Sequence, residues 1–132
     1  MCVPCAMGYY SNSSTTYMCL PCPIGFYSNA TGSALCYACE IGKYSSKNAT
    51  YVCASCPVGK WSGSMGAALC QSCIPGKYSS NIGAVDASAC IDCPQGSFAL
   101  ASSGSCSLCP AGKFDHSLLR LTCASVITIL LA

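Results

Sequence analysis

Fifteen cysteines in 132 residues are the chemistry most visible in this chain. Fourteen of them fall in seven C-x-x-C pairs, whose first members are Cys2, Cys19, Cys36, Cys53, Cys70, Cys90 and Cys106; a solitary Cys123 follows. Cysteines in such pairs can form disulfides, hold a metal or exchange electrons, and each use makes different demands. Zinc is the serious competitor to disulfides, because the C-x2-C-x13-C-x2-C run from Cys2 to Cys22 is acceptable zinc-site spacing. Three features weigh against it. Seven pairs do not divide into four-cysteine sites, the one histidine (His116) cannot supply repeated ligands, and Lys and Arg are scarce. An intracellular zinc-binding C-x-x-C array therefore stands as the alternative reading. Redox exchange is weaker still. Cys2-Val-Pro-Cys5 and Cys19-Leu-Pro-Cys22 have the spacing of thioredoxin-type sites, but such a site needs a low-pKa thiol at a helix N-terminus, and no helix pattern accompanies these.

Count and parity favour one disulfide scheme, in which the second cysteine of each pair bonds the first of the next. The bridges are then Cys5–Cys19, Cys22–Cys36, Cys39–Cys53, Cys56–Cys70, Cys73–Cys90, Cys93–Cys106 and Cys109–Cys123, with Cys2 left over. Bonds inside each C-x-x-C would orphan Cys123 and close very tight rings, and spacing alone does not decide between the schemes. Closing a loop of this length contributes about 3 kcal/mol in the chain-entropy model.

A second chemistry is carried by asparagine. Three of the four Asn residues open an Asn-x-Ser/Thr acceptor: Asn12-Ser13-Ser14, Asn29-Ala30-Thr31 and Asn48-Ala49-Thr50. They stand at similar positions after the second cysteine of their repeats, in Ser- and Thr-rich stretches that read as exposed loop tips. N-linked glycans there would leave the stapled base undisturbed, and acceptor sites together with abundant cysteine favour the secretory route.

Catalytic constellations are missing. Glu40, Asp86, Asp92 and Asp115 are scattered among different repeats at different phases, and His116 stands alone, whereas general acid–base work needs two groups converging on one site. No phosphate loop, nucleophile motif or cofactor signature is present, so catalytic and metal residues are read as none and cofactors as none. A formal net charge of +2 from six basic and four acidic residues excludes a nucleic-acid face.

The elements that must position these groups repeat with the cysteines. The steps between pairs are 17, 17, 17, 17, 20, 16 and 17 residues. This divides the chain into repeats 2–18, 19–35, 36–52, 53–69, 70–89, 90–105 and 106–122, followed by a degenerate apolar tail, 123–132. Three residues after each second cysteine stands a glycine: Gly8, Gly25, Gly42, Gly59, Gly76, Gly96 and Gly112. Two further on stands an aromatic: Tyr10, Tyr27, Tyr44, Trp61, Tyr78, Phe98 and Phe114. The glycine suits a turn with positive φ. The Lys-aromatic-Ser that follows reads as a short strand with the aromatic on one face and Lys and Ser on the other. Ala-Leu-Cys at 34–36 and 68–70 reads as the returning strand. Each unit is thus expected to be a short irregular β-hairpin with its aromatic packed against neighbouring disulfides. The whole is a small disulfide-rich, elongated tandem array with little or no helix. Too few aliphatic residues precede position 118 for an ordinary core, so covalent staples must substitute. The longer fifth repeat, with its insertion at 81–89, is the best place for a ligand-binding feature.

The pattern C-x-x-C-P-x-G-x-[Y/F/W]-S, as in Cys19 to Ser28, resembles the ephrin-receptor-like cysteine-rich repeats over residues 2 to about 115. The proline after the second cysteine is replaced by Ala6, Glu40 and Ile74 in three copies. The resemblance implies an extracellular or cell-surface glycoprotein segment that acts as a stalk or protein-interaction module. Its partners would be other extracellular proteins or neighbouring domains of the same parent chain. Because Cys2 lies mid-repeat with no export signal before it, a fragment of a longer chain is expected. The apolar stretch 118–132 is shorter than a bilayer span and contains Arg120. It reads equally as the start of a membrane anchor continuing beyond the C-terminus, as a packed cap, or as read-through of non-coding sequence.

Overall fold

The computed structural model describes residues 1–15, 18–111, 113–115 and 123–125, with backbone alone for 114, 115 and 123–125. Gly112, the Phe114 ring, His116, the Cys123 side chain and the rest of the 118–132 stretch lie outside the described residues.

Each repeat begins with the turn that its glycine permits. In Pro23-Ile24-Gly25-Phe26 the Phe26 amide donates to the Pro23 carbonyl at 3.0 Å, and Gly25 has φ of +84°. A positive φ at the third position of a four-residue turn is type II chemistry, which excludes most side chains. The same amide-to-carbonyl closure recurs from Tyr9 to Ala6, Lys43 to Glu40, Lys60 to Pro57 and Lys77 to Ile74. Alanine, glutamate or isoleucine in place of proline therefore leaves the turn intact.

The turn delivers the chain into a two-residue strand ending on the aromatic. The strands and their antiparallel partners are β1 (Tyr9–Tyr10) with β2 (Leu20–Pro21), β3 (Phe26–Tyr27) with β4 (Tyr37–Ala38), and β5 (Lys43–Tyr44) with β6 (Ala54–Ser55). Next come β7 (Lys60–Trp61) with β8 (Gln71–Ser72), β9 (Lys77–Tyr78) with β10 (Ile91–Asp92), and β11 (Ser97–Phe98) with β12 (Ser107–Leu108). A further backbone pair joins β13 (Lys113–Asp115) to β14 (Cys123–Ser125). The returning strand is therefore the interior of the next C-x-x-C and not Ala-Leu-Cys, which lies in a bend just before it. The physical reason is the turn glycine. Its carbonyl accepts from the second cysteine of the next pair, as in Cys22 to Gly8, Cys39 to Gly25 and Cys56 to Gly42, all at 2.8 Å, and this fixes the register two residues later than the apolar pattern suggests.

The described chain forms two compact units, Met1–Cys56 with Ser62–Cys70, and Pro57–Trp61 with Gln71–Ala132. Within the first unit, successive repeats are joined by backbone hydrogen bonds. Gly8 donates to Ser28 and Gly25 to Ser45, while Ser28 donates to Thr50 and Ser45 to Ala67. Loop residues reach back in the same way, with Gly32 donating to Cys5, Ala49 to Cys22 and Gly66 to Cys39. The second unit repeats the scheme, with Gly59 donating to Ser79, Ser79 to Ser103 and Ser102 to Cys73. Neighbouring repeats thus share a seam of main-chain hydrogen bonds.

The interior along this seam is not aromatic. Among the described residues the largest fully buried side chains are Cys22, Cys39, Cys56 and Ser28 in the first unit and Cys73, Cys93, Ser79 and Ser97 in the second. Tyr10, Tyr27, Tyr44, Trp61, Tyr78 and Phe98 are half-buried. The serine after the aromatic faces inward with the cysteines, contrary to the alternation expected of a strand. The strand ends at the aromatic, and the serine serves the loop that follows. The Ser45 hydroxyl lies 2.7 Å from Thr50 Oγ1 and 3.0 Å from the Lys47 carbonyl, and Ser28 is placed likewise on Ser33 and Ala30.

Candidate functional site

The disulfides lie where the hairpins meet the seam. Six bridges join Cys5–Cys19, Cys22–Cys36, Cys39–Cys53, Cys56–Cys70, Cys73–Cys90 and Cys93–Cys106. In each, the second cysteine of a C-x-x-C pair is buried and its partner lies nearer the surface in the next pair, as Cys22 and Cys36 do. The link runs from the start of one hairpin to the start of the next returning strand. Each bridge closes a loop that overlaps the one closed by the glycine–cysteine hydrogen bond three residues further on, as Cys5–Cys19 does beside Gly8–Cys22. Cys109 is disulfide-bonded, and Cys2 is free and exposed.

With twelve sulfurs committed to these six bonds, no described group of three or more His, Cys, Asp or Glu could hold a metal ion. The carboxylates have local partners as well. Glu40 pairs with Lys43 at 3.0 Å, and Asp92 pairs with Lys77 at 3.1 Å across β9 and β10. Asp86 caps a single 3-10 turn, Ala87–Ala89, by accepting from the Ser88 amide at 2.9 Å and from the Ser88 hydroxyl. These hydrogen bonds hold its carboxyl below the usual aspartate range. That turn belongs to the 81–89 insertion, where Ala84 is buried and forms an isolated parallel bridge with Trp61. The insertion is thus a capped loop anchored by one alanine, with Ile82 and Val85 left exposed.

All three acceptor asparagines, Asn12, Asn29 and Asn48, are exposed. Their surroundings differ. Asn48 lies inside a structured loop that Thr50 Oγ1 closes by donating to the Lys47 carbonyl at 2.8 Å. Asn29 directly follows buried Ser28 and lines a groove with Tyr27, Glu40 and Lys43.

One recurring element escapes the sequence pattern. Gly32, Ala49, Gly66, Gly83 and Ser102 all adopt left-handed φ, between 58° and 72°, at the same phase of their loops. Because glycine, alanine and serine share the position, no single residue type marks it. The carbonyls of Ala49, Gly66 and Ser102 each face the turn glycine two repeats earlier. A Cβ placed on Gly8 would lie 2.2 Å from the Ala49 carbonyl oxygen, one on Gly25 2.1 Å from that of Gly66, and one on Gly59 2.2 Å from that of Ser102. Gly8, Gly25 and Gly59 therefore meet two demands at once, a positive φ and a backbone approach that admits no side chain. Only the first is a local property.

Three overlapping segments of the chain, residues 8–42, 25–68 and 42–90, match the family described as tyrosine-protein kinase ephrin type A/B receptor-like. No curated protein matches the chain.

Proposed function

Because the chain belongs to the ephrin type A/B receptor-like family of disulfide-rich repeats, we propose that it is an extracellular structural segment of a secreted or cell-surface glycoprotein. It acts as a stapled spacer that presents neighbouring domains of its parent chain, or other extracellular proteins, at fixed positions. The observation that carries this reading is the coincidence of bridge and seam. Every described disulfide lies beside a main-chain hydrogen bond that ties the turn glycine to the next returning strand. Such a construction spends its cysteines on rigidity and leaves none of the twelve bridged sulfurs as a thiolate for metal or electron transfer. The pairing of Glu40 and Asp92 with lysines and the capping role of Asp86 support a non-catalytic segment. Exposure of Asn12, Asn29 and Asn48 supports N-linked glycans at those positions.

The decisive measurement is the intact mass of the native secreted chain with thiol alkylation, before and after reduction. Cysteines that become alkylatable only on reduction, with hexose-rich mass on the three asparagines, are expected. Free thiols carrying zinc and no glycan would sink the reading and leave the metal array in its place.

A further inference from the structure

Within the first unit a groove of about 390 Å³ opens beside Asn29. Its walls come from four successive repeats: Met7 from the first, Tyr27 and Asn29 from the second, Glu40, Lys43, Tyr51 and Val52 from the third, and Cys53 at the start of the fourth. We propose that this groove is the seat of the proximal N-acetylglucosamine residues of a glycan attached to Asn29, an inference that rests on the glycosylation reading above.

The occupant follows from what the groove contains. Asn29 begins an acceptor triplet and is itself part of the wall, so a sugar linked to its amide enters the groove at no cost of association. N-acetylglucosamine has an apolar face of axial C–H groups, an acetyl methyl and a rim of hydroxyls. Tyr27 and Tyr51 supply rings for the apolar face, and Met7 and Val52 supply aliphatic surface for the methyl. Glu40 and Lys43, paired at 3.0 Å and both reachable from solvent, supply an acceptor and a donor for the hydroxyls. The Tyr27 ring is held in place by Tyr37, whose centroid lies 6.1 Å away at a tilt of 47°. Part of the wall is thus formed before a sugar arrives. The volume admits one or two rings and no branched antenna, which fits the unbranched start of an N-linked glycan. The exposed apolar side chains Met7, Tyr51 and Val52 then gain cover inside their own molecule. Neither Asn12 nor Asn48 lines this groove.

The full chain, secreted from a eukaryotic host, tests this in two readings. Glycopeptide mass gives occupancy at each asparagine, and native-state cleavage by a peptide-N-glycosidase, with disulfides intact, gives accessibility. Two ring contacts of ordinary strength should slow cleavage at Asn29 about tenfold relative to Asn12 and Asn48. Tyr51→Ala, at an exposed ring outside the hydrogen-bonded seam, removes one of the two contacts and should speed Asn29 cleavage about threefold while leaving the Asn12 rate and the disulfide map unchanged. The axial ring protons of the Asn29 sugar should also show an upfield ring-current shift that Tyr51→Ala reduces. Equal cleavage at all three occupied sites, or slow cleavage at Asn29 indifferent to Tyr51→Ala, overturns the seat and leaves glycosylation standing. An unmodified Asn29 beside occupied Asn12 and Asn48 overturns the glycosylation reading at that residue and the seat with it.

Discussion

Gly25→Ala and Gly96→Ala place the same methyl at the same turn position, yet they should differ severalfold in their effect on stability. Gly25 and Gly96 have nearly equal φ, +84° and +79°. An alanine in this left-handed region costs about 1–2 kcal/mol, offset by about 0.4–1 kcal/mol from the stiffer unfolded chain. No described atom lies within 4 Å of a Cβ on Gly96, so the net cost there is about 1 kcal/mol. At Gly25 the methyl would meet the Gly66 carbonyl oxygen at 2.1 Å and its carbon at 2.8 Å. Those atoms are backbone, held by the 2.7 Å hydrogen bond from the Gly66 amide to Cys39, and cannot swing aside. Forcing them apart adds about 1–3 kcal/mol of overpacking and about 1 kcal/mol for each seam hydrogen bond lost. A difference of at least about 2 kcal/mol corresponds to about thirtyfold in the opening equilibrium. Native-state hydrogen exchange with disulfides intact reads this locally. In Gly25→Ala the Cys39 and Gly66 amides should exchange at least about thirtyfold faster than in the parent, while in Gly96→Ala the Cys109 amide should gain no more than about tenfold. Equal acceleration in the two variants would refute the close approach and leave the glycine as a turn residue only.

Ala49→Gly should be stabilising, by about 0.5–1 kcal/mol, because Ala49 already sits at φ of 58° and glycine removes that strain; slower exchange at the Ala49 amide is the check, and the Asn48 acceptor triplet is preserved. Replacing both Cys39 and Cys53 with serine should cost about 3 kcal/mol for a loop with sequence separation 14, seen as a lower melting temperature, whereas excess chelator should leave the native chain's melting unchanged. Asp86 is held below the usual aspartate range by its bonds to Ser88, so the capped turn is at full strength above the unfolded pKa and loosens as pH falls through the lower folded value. The Ser88 amide shift should therefore titrate with a midpoint below that of an unstructured aspartate, and Asp86→Ala should abolish the transition.

Much of this architecture is legible in the residues because its causes are local. A glycine three residues past each second cysteine and a near-constant step of 17 announce a tandem array with one turn per unit, and covalent geometry together with φ preference suffices for that. Ser28, Ser45, Ser62 and Ser79 are harder to read. A serine beside an aromatic on a two-residue strand looks outward by alternation, and only the loop hydroxyl bonds reveal why it turns in. The half-buried aromatics follow from the same fact, since cysteine, serine and glycine fill the seam and leave the rings at its edge. Returning strands inside C-x-x-C were hidden because strand pairing here follows the glycine carbonyl and not apolar periodicity.

The sequence by itself determined the repeat, through the recurrence of its cysteine pairs, and the turn, which depends on residues a few positions apart; it favoured disulfides over zinc without deciding between them. Tertiary structure alone decided which loops close on which turns. Contact between Gly25 and Gly66, two repeats apart, depends on how far and how steeply each unit advances relative to the last. That advance is the sum of many small backbone angles, to which glycine, alanine and serine in the left-handed loop position all conform and which none of them encodes alone.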